Sequence, residues 1–194
     1  MRVSDFILQT RTDLQEKSEH WNDEDLLIKL KRAYVSLQYD LPYFIQREEL
    51  SIIEGNSEYY LEYEALKNVS LIIDEQEYLF SNVENFYTVP KERTYTFMQN
   101  RLLVSTPKRD SKALIFYRHC KMIETLNCFV ELPIHYHNAL RLLFLSYIQE
   151  KPTRNSKERN LSLHYLKLYE KELYKLKKEQ KARPKNIKSN YQKV

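Results

Sequence analysis

The chain has 194 residues, with 31 Lys and Arg, 27 Asp and Glu, 16 Tyr, 8 Phe, two Cys and one Gly, a length at which one domain buries roughly 70% of its unfolded surface and needs no disulfide or metal to fold. The single glycine, Gly55, excludes glycine-rich phosphate loops, dinucleotide fingerprints and GxSxG nucleophile elbows, all of which need repeated close backbone approach. A net charge of +4 hides a polarised chain: residues 151–194 hold 14 Lys and Arg against 4 Glu, leaving 17 basic and 23 acidic residues for 1–150.

The start MRVSDFILQTRTDLQ has neither a long apolar core nor a small-residue cleavage site, so synthesis in a reducing cytoplasm is expected for this chain with Cys120 and Cys128. The best apolar stretch is broken by Arg141 and falls short of the roughly 18 residues of a membrane span. A soluble product without membrane contact is expected.

Ser4 is placed to cap a first helix over about 4–20, in which Phe6, Ile7 and Leu14 return at near-helical spacing and Asp5 complements the terminal dipole. The segment WNDEDLLIKLKRAYVSLQYDLPYF then predicts a helix over about 22–40. Asn22 serves as N-cap, Asp23, Glu24 and Asp25 fill the first turn, and Trp21 packs back on Leu26 as a hydrophobic staple. Leu26, Leu27, Leu30, Ala33, Tyr34 and Leu37 form one stripe, and Pro42 closes the helix.

From Gln46 the period changes. EELSII and EYYLEY flank EGNS, where Gly55-Asn56 can take positive φ, and this predicts a β-hairpin. Further strands are predicted at Val69–Ile73, Tyr78–Phe80, Tyr95–Met98, Arg101–Val104 and Leu114–Arg118, separated by turn-like DEQE, QN and PKRDSK. Together they make a β-rich insertion over about 46–118.

Pro133, with its fixed φ and missing N–H, suits the first turn of a helix over about 134–149 that carries Ala139, Leu140, Leu142, Leu143 and Phe144. Pro152 and Asn155 break it. A last helix over about 156–180 aligns Leu161, Tyr165, Leu168, Leu173 and Leu176, with Lys167, Lys171, Lys175, Lys177 and Lys178 outside that line. ARPKNIKSNYQKV has Pro184 and almost no apolar content, and is expected as a disordered basic tail over 181–194. The fold class predicted is α+β, mainly helical: one domain over 1–180, a helical bundle with an inserted small antiparallel β region and an extended basic C-terminal tail.

His135 and His137, with His119, Cys120 or Cys128, are residue types that bind zinc, but i and i+2 on a helix face apart by about 200°. Packing or surface roles are expected for them, and no metal or cofactor. Glu48-Glu49, Asp23-Glu24-Asp25 and Asp74-Glu75 are carboxylate pairs of the kind used in acid–base chemistry, yet dipole complementation accounts for the acidic helix start. Cys120, His119 and Asp110 have the types of a nucleophilic triad without any spacing to support one, so no enzyme is expected. The lysine-rich end has three readings: a solvated face, docking to an acidic protein surface, or salt-dependent contact with nucleic-acid phosphates. No helix-turn-helix, zinc finger or RNP motif accompanies it.

The order of these signals resembles the head-to-tail adaptor (connector) proteins of tailed bacteriophages, whose pattern is a short helix, then WxDxxLLxxLxxA with DLPxF, a hairpin and strands, then LPxxYxxAL. Trp21, Asp23, Leu26, Leu27, Leu30, Ala33, Asp40, Leu41, Pro42 and Phe44 match the first motif, and Leu132, Pro133, Tyr136, Ala139 and Leu140 the second. Leu114 to Tyr117 matches the strand before it, and the landmarks span roughly residues 5 to 180. The chain departs at Tyr117-Arg118-His119-Cys120-Lys121, where members often carry a proline.

The resemblance implies a structural virion protein at the head–tail junction, made in the bacterial host cytoplasm. It forms a ring beneath the portal of portal-matched, about twelve-fold symmetry, bound by the portal protein above and by a tail or nozzle protein below. Non-specific contact with packaged DNA is a further implied partner. The family's C-terminal segment reaches the portal, so Lys175, Lys177, Lys178, Lys181, Arg183, Lys185 and Lys188 are the implied portal-binding residues. The alternative is a small nucleic-acid-binding accessory protein using the same basic end.

Overall fold

The computed structural model describes residues 1–13, 21–88, 92–150 and 156–182. The chain divides into two compact units, one built from Met1–Leu41 with the chain from Met122 on, the other from Pro42–Lys121.

In the first unit, α1 (Val3–Asp13), α2 (Asp23–Asp40), a 3-10 turn (Ile134–Tyr136), α4 (His137–Ile148) and α5 (Ser156–Ala182) pack together. Leu14 and the end of the expected first helix lie outside the described residues. Ser4 does not cap α1, because the helix already begins at Val3. Its first amides are instead met by main-chain carbonyls: Val3 N–H donates to Cys128 O at 2.9 Å and Ser4 N–H to Leu126 O at 3.1 Å. A helix start needs acceptors for its free N–H groups, and a neighbouring loop provides them as well as a side chain does.

The α2 N-cap matches its local signal. Asn22 Oδ1 accepts from Asp25 N–H at 2.7 Å, and Leu26, Leu30, Ala33, Tyr34 and Leu37 are buried. The Lys29 ammonium stands 5.0 Å from the centre of the Trp21 ring. Helix α4 buries Ala139, Leu140, Leu143, Phe144, Leu145 and Ile148, more than one stripe, because α2 and α5 both pack against it. The Lys29 ammonium also donates to the Tyr147 carbonyl at 2.6 Å, and Arg32 pairs with Glu150 at 2.9 Å.

The second unit overturns the expected fold class. It is not a small antiparallel β region within a helical bundle: the protein is 43% helical and 28% strand, with five helices and a curled seven-stranded mixed sheet among the described residues. The strands are β1 (Phe44–Ile52), β2 (Glu58–Tyr60), β3 (Lys67–Ile73), β4 (Gln76–Phe80), β5 (Thr94–Met98), β6 (Arg101–Val104) and β7 (Ser111–His119), with a short helix α3 (Val83–Thr88) after β4. Sheet order is β1-β7-β3-β4-β5-β6-β2, and β4 pairs with β5 in parallel. Several of these strands have five residues or fewer, so each offers little alternation to read even though their sum is a large sheet.

The expected β1–β2 hairpin is also replaced. Gly55 does take positive φ, at 75°, but β1 pairs with β7 and β2 with β6, at opposite edges of the sheet. Seven strands laid flat would separate these edges by about 29 Å, whereas a link of five residues spans at most about 21 Å. The sheet therefore curls. The Tyr59 hydroxyl holds the link from inside, accepting from Ile53 N–H at 3.0 Å and donating to Asn56 O at 2.8 Å. Within the curl lies a core that includes Leu71, Tyr95, Leu102, Val104, Ile115 and Tyr117.

Candidate functional site

The surface that stands out is the outer side of α5. The helix is held by one face: Tyr169 is 4% exposed and Leu176 is buried, while Tyr165, Leu168 and Leu173 are half-buried. Leu161, expected on this line, is 39% exposed, and Tyr169, which the spacing reading missed, is the central anchor. Its hydroxyl donates to Asp40 Oδ2 at 2.6 Å. Burial, and then the hydrogen-bonded Asp40 carboxylate, push the phenol's pKa far above its ordinary value. Ser162 Oγ donates to Ser146 O at 2.9 Å, and Gln180 donates to the Tyr136 hydroxyl. The helix is thus clamped along its length, which fixes what its other side presents to solvent.

That side carries Lys167, Lys171, Lys175, Lys177 and Lys178, all exposed. Lys175 stands 3.9 Å from Glu172 and Lys177 3.8 Å from Asp40, long pairs with the lysine ends in solvent that neutralise little. Of the expected portal-binding residues, Lys175, Lys177 and Lys178 are all exposed on this helix, Lys175 and Lys177 on its opposite flanks. Lys181 belongs to the last turn of α5, while its side chain, and Arg183, Lys185 and Lys188, lie outside the described residues. Two side chains unforeseen by the sequence share the surface: Tyr174, 74% exposed, and Leu163.

The other constellations resolve into packing. His137 Nε2 lies 2.9 Å from Leu132 O and its ring meets Phe6 edge-on, while the His135 ring packs on Tyr136. Among the described residues no three His, Cys, Asp or Glu side chains cluster as a metal site would. His119 is buried against Tyr63, ring centres 4.6 Å apart, and burial lowers its pKa. Burial pushes the Cys120 thiol up to about 11, away from nucleophilic readiness. Asp110 precedes β7 and accepts from Glu54 N–H at 2.8 Å, whereas His119 ends the same strand, about 30 Å along it. The Cys120, His119 and Asp110 types are therefore not brought together.

The carboxylates are likewise engaged structurally. Glu48 accepts from Glu62 N–H at 3.1 Å and from the Tyr117 hydroxyl, and Glu49 pairs with Arg47 at 3.0 Å. Asp74 and Glu75 form the β3–β4 turn at φ 47° and 62°. A bond from the Ser111 hydroxyl, aided by Arg109, keeps Asp74 below its usual carboxyl range. Among the described residues no helix is long and apolar enough to cross a membrane. No family model and no curated protein matches this sequence.

Proposed function

We propose that the chain is a structural head-to-tail adaptor: a ring-forming, non-catalytic virion protein that docks on the portal through the end of α5 and the residues after it, and presents a platform to a tail or nozzle protein. The observation that carries this reading is the one-sided burial of α5. Tyr169 and Leu176 fix the helix while its lysines stay in solvent, a rigid cationic arm suited to an acidic protein surface. The motif order supports it too, since the two segments that resemble the adaptor family are the ones that form α2 and the start of α4.

Contact with nucleic-acid phosphates is the weaker use of the same lysines. Glu170, Glu172 and Glu179 are interleaved with them on α5, and each would oppose a phosphate. The deciding experiment is co-sedimentation with purified portal rings, using the full chain and a chain lacking residues 181–194. Capture by the full chain and its loss on truncation, with far-UV circular dichroism unchanged, is the expected result. Equal capture by both chains removes the tail assignment, and a gel shift with DNA at physiological salt, with no portal capture, favours the accessory-protein reading.

A further inference from the structure

We propose that the outer face of α5 around Lys167, Lys171 and Tyr174 binds the acidic first turn of α2 on a second copy of this chain, joining copies head to tail. This rests on the ring reading for its purpose, and on separate observations for its surfaces. It borders the portal contact at Lys178, and the lysine reversals that test it are therefore those of Lys167 and Lys171, which the portal reading does not include.

The face on α5 has the makeup of an interface. Tyr174 is 74% exposed, with Lys171 one turn before it and Lys178 one turn after, and Leu163 and Lys167 extend the same side. Glu170 lies among them, so the face is a positive excess rather than a uniform charge. An amphipathic ring left in solvent among ammonium groups is what a rim-and-anchor contact uses.

The complement is on the same chain. Asp23, Glu24 and Asp25 are exposed at the start of α2. Their three carboxylates outweigh the half-charge of the helix terminus together with Arg11, which reaches Asp23 at 2.7 Å. One turn on from Glu24 and Asp25 stands Ile28, 65% exposed, with Lys31 beyond it. Each face is thus an apolar side chain among charges, and the two faces have opposite sign.

One copy cannot join them. Tyr169 and Lys177, on either side of Lys171, both reach Asp40 at the last residue of α2. From Asp40 to Asp25 is 15 residues of helix, about 22 Å along the axis, too far for a lysine side chain to bridge. A two-fold contact of α5 against α5 would place like charges together. Pairing the first turn of α2 on one copy with α5 of the next brings opposite charges together; repeated head to tail it is heterologous and closes into a ring when the rotation allows, whereas a reciprocal two-fold pairing would stop at a dimer, which the sedimentation coefficient distinguishes.

The test is sedimentation velocity of the full chain. In low salt the wild-type chain is expected to associate weakly with rising concentration, and to dissociate as ionic strength passes about 0.1 M, where the screening length is about 10 Å. Lys167→Glu with Lys171→Glu, and separately Glu24→Lys with Asp25→Lys, each weaken association roughly tenfold or more. An equimolar mixture of the two reversed proteins recovers it, because every reversed face then meets a reversed partner. Tyr174→Ser weakens it without any change of charge.

Far-UV circular dichroism checks each variant, and any that misfolds is replaced by Lys171→Gln or Glu24→Gln. A wild-type chain that stays monomeric in low salt, an acidic-turn variant that associates normally, or a mixture that fails to recover overturns the proposal. Portal capture by the full chain and by its truncation tests the adaptor function separately, so the two can fail independently.

Discussion

Both units bury tyrosine, and they do so differently. In the helical unit Tyr34 lies within an aliphatic stripe with Leu26, Leu30 and Leu37, and the hydroxyls of Tyr169 and Tyr136 serve as clamps between α5 and its neighbours. In the β unit Tyr59 and Tyr117 lie inside the curl, and their hydroxyls are part of what holds it: Tyr59 pins the β1–β2 link, and Tyr117 donates to Glu48 while accepting from Tyr63 N–H at 3.2 Å. The helical unit therefore draws its stability from apolar packing, with polar contacts as accessories. The β unit adds to its apolar core a small set of part-buried polar contacts at the curl.

The most disruptive change for the first half of this comparison is Phe144→Ala. Phe144 is fully buried in α4, and loss of such a ring with the cavity it leaves costs about 3–5 kcal/mol. The expected result is a large drop in the urea midpoint of the 222 nm signal, and a change under about 1 kcal/mol would refute the packing account.

The matching change in the β unit is Glu48→Ala. It leaves the part-buried Tyr117 hydroxyl without its acceptor, a cost of about 1 kcal/mol, while the exposed Glu62 amide turns to water. Because these groups act as a network, a double-mutant cycle with Tyr117→Phe is expected to show coupling of about 0.5–3 kcal/mol. Strict additivity would mean that Glu48 and Tyr117 do not act together in holding the sheet.

These same contacts mark the limit of what the sequence reveals. Asn22 was legible as a cap because its partner is three residues away, and the α2 stripe because helical burial repeats locally. Gly55 was legible as a left-handed residue, but not the strands it connects, since β1 finds its partner in β7 some 60 to 75 residues on. Glu48 read as half of a carboxylate pair, and only the fold brings Tyr117 to it across 69 residues. Tyr169 was within reach, being i+4 from Tyr165 and i−7 from Leu176, but the Asp40 that makes it the anchor of α5 is 129 residues away. The exposed lysines of α5 needed only the helical period.

Acid sharpens the comparison next. Burial lowers the pKa of both His119 in the β unit and His137 in the helical unit. A histidine whose folded pKa is depressed binds fewer protons folded than unfolded, so the stability is present above the ordinary value near 6.5 and is lost as pH falls from there through the lower folded value. His119 is 4% exposed, its Nδ1 has no hydrogen-bond partner among the described residues, and it faces Tyr63, Tyr117, the Cys120 main chain, Glu48, Glu62 and Lys121. His137 is half-buried and keeps the Leu132 carbonyl as a partner, an acceptor that tolerates a protonated ring. His119→Phe is therefore expected to flatten the fall in stability between about pH 7 and 5 more than His137→Phe does. The reverse order would place the acid-sensitive element in the helical unit.

The smallest expected effect on stability falls where the largest effect on assembly is expected. Lys175→Glu with Lys178→Glu alters exposed residues on the solvent side of α5, and the Glu172 contact it breaks is 3.9 Å long, with the lysine end in solvent. Such changes shift stability by no more than about 0.5 kcal/mol. Portal capture should nevertheless fall, and the loss should shrink as added salt screens the wild-type attraction as well. If melting drops with these substitutions, the lysines hold the helical unit together and the clamp at Tyr169 is not sufficient to seat α5. If melting and capture both stay unchanged, the cationic side of α5 is a solvated face, and the portal contact must be sought elsewhere on the chain.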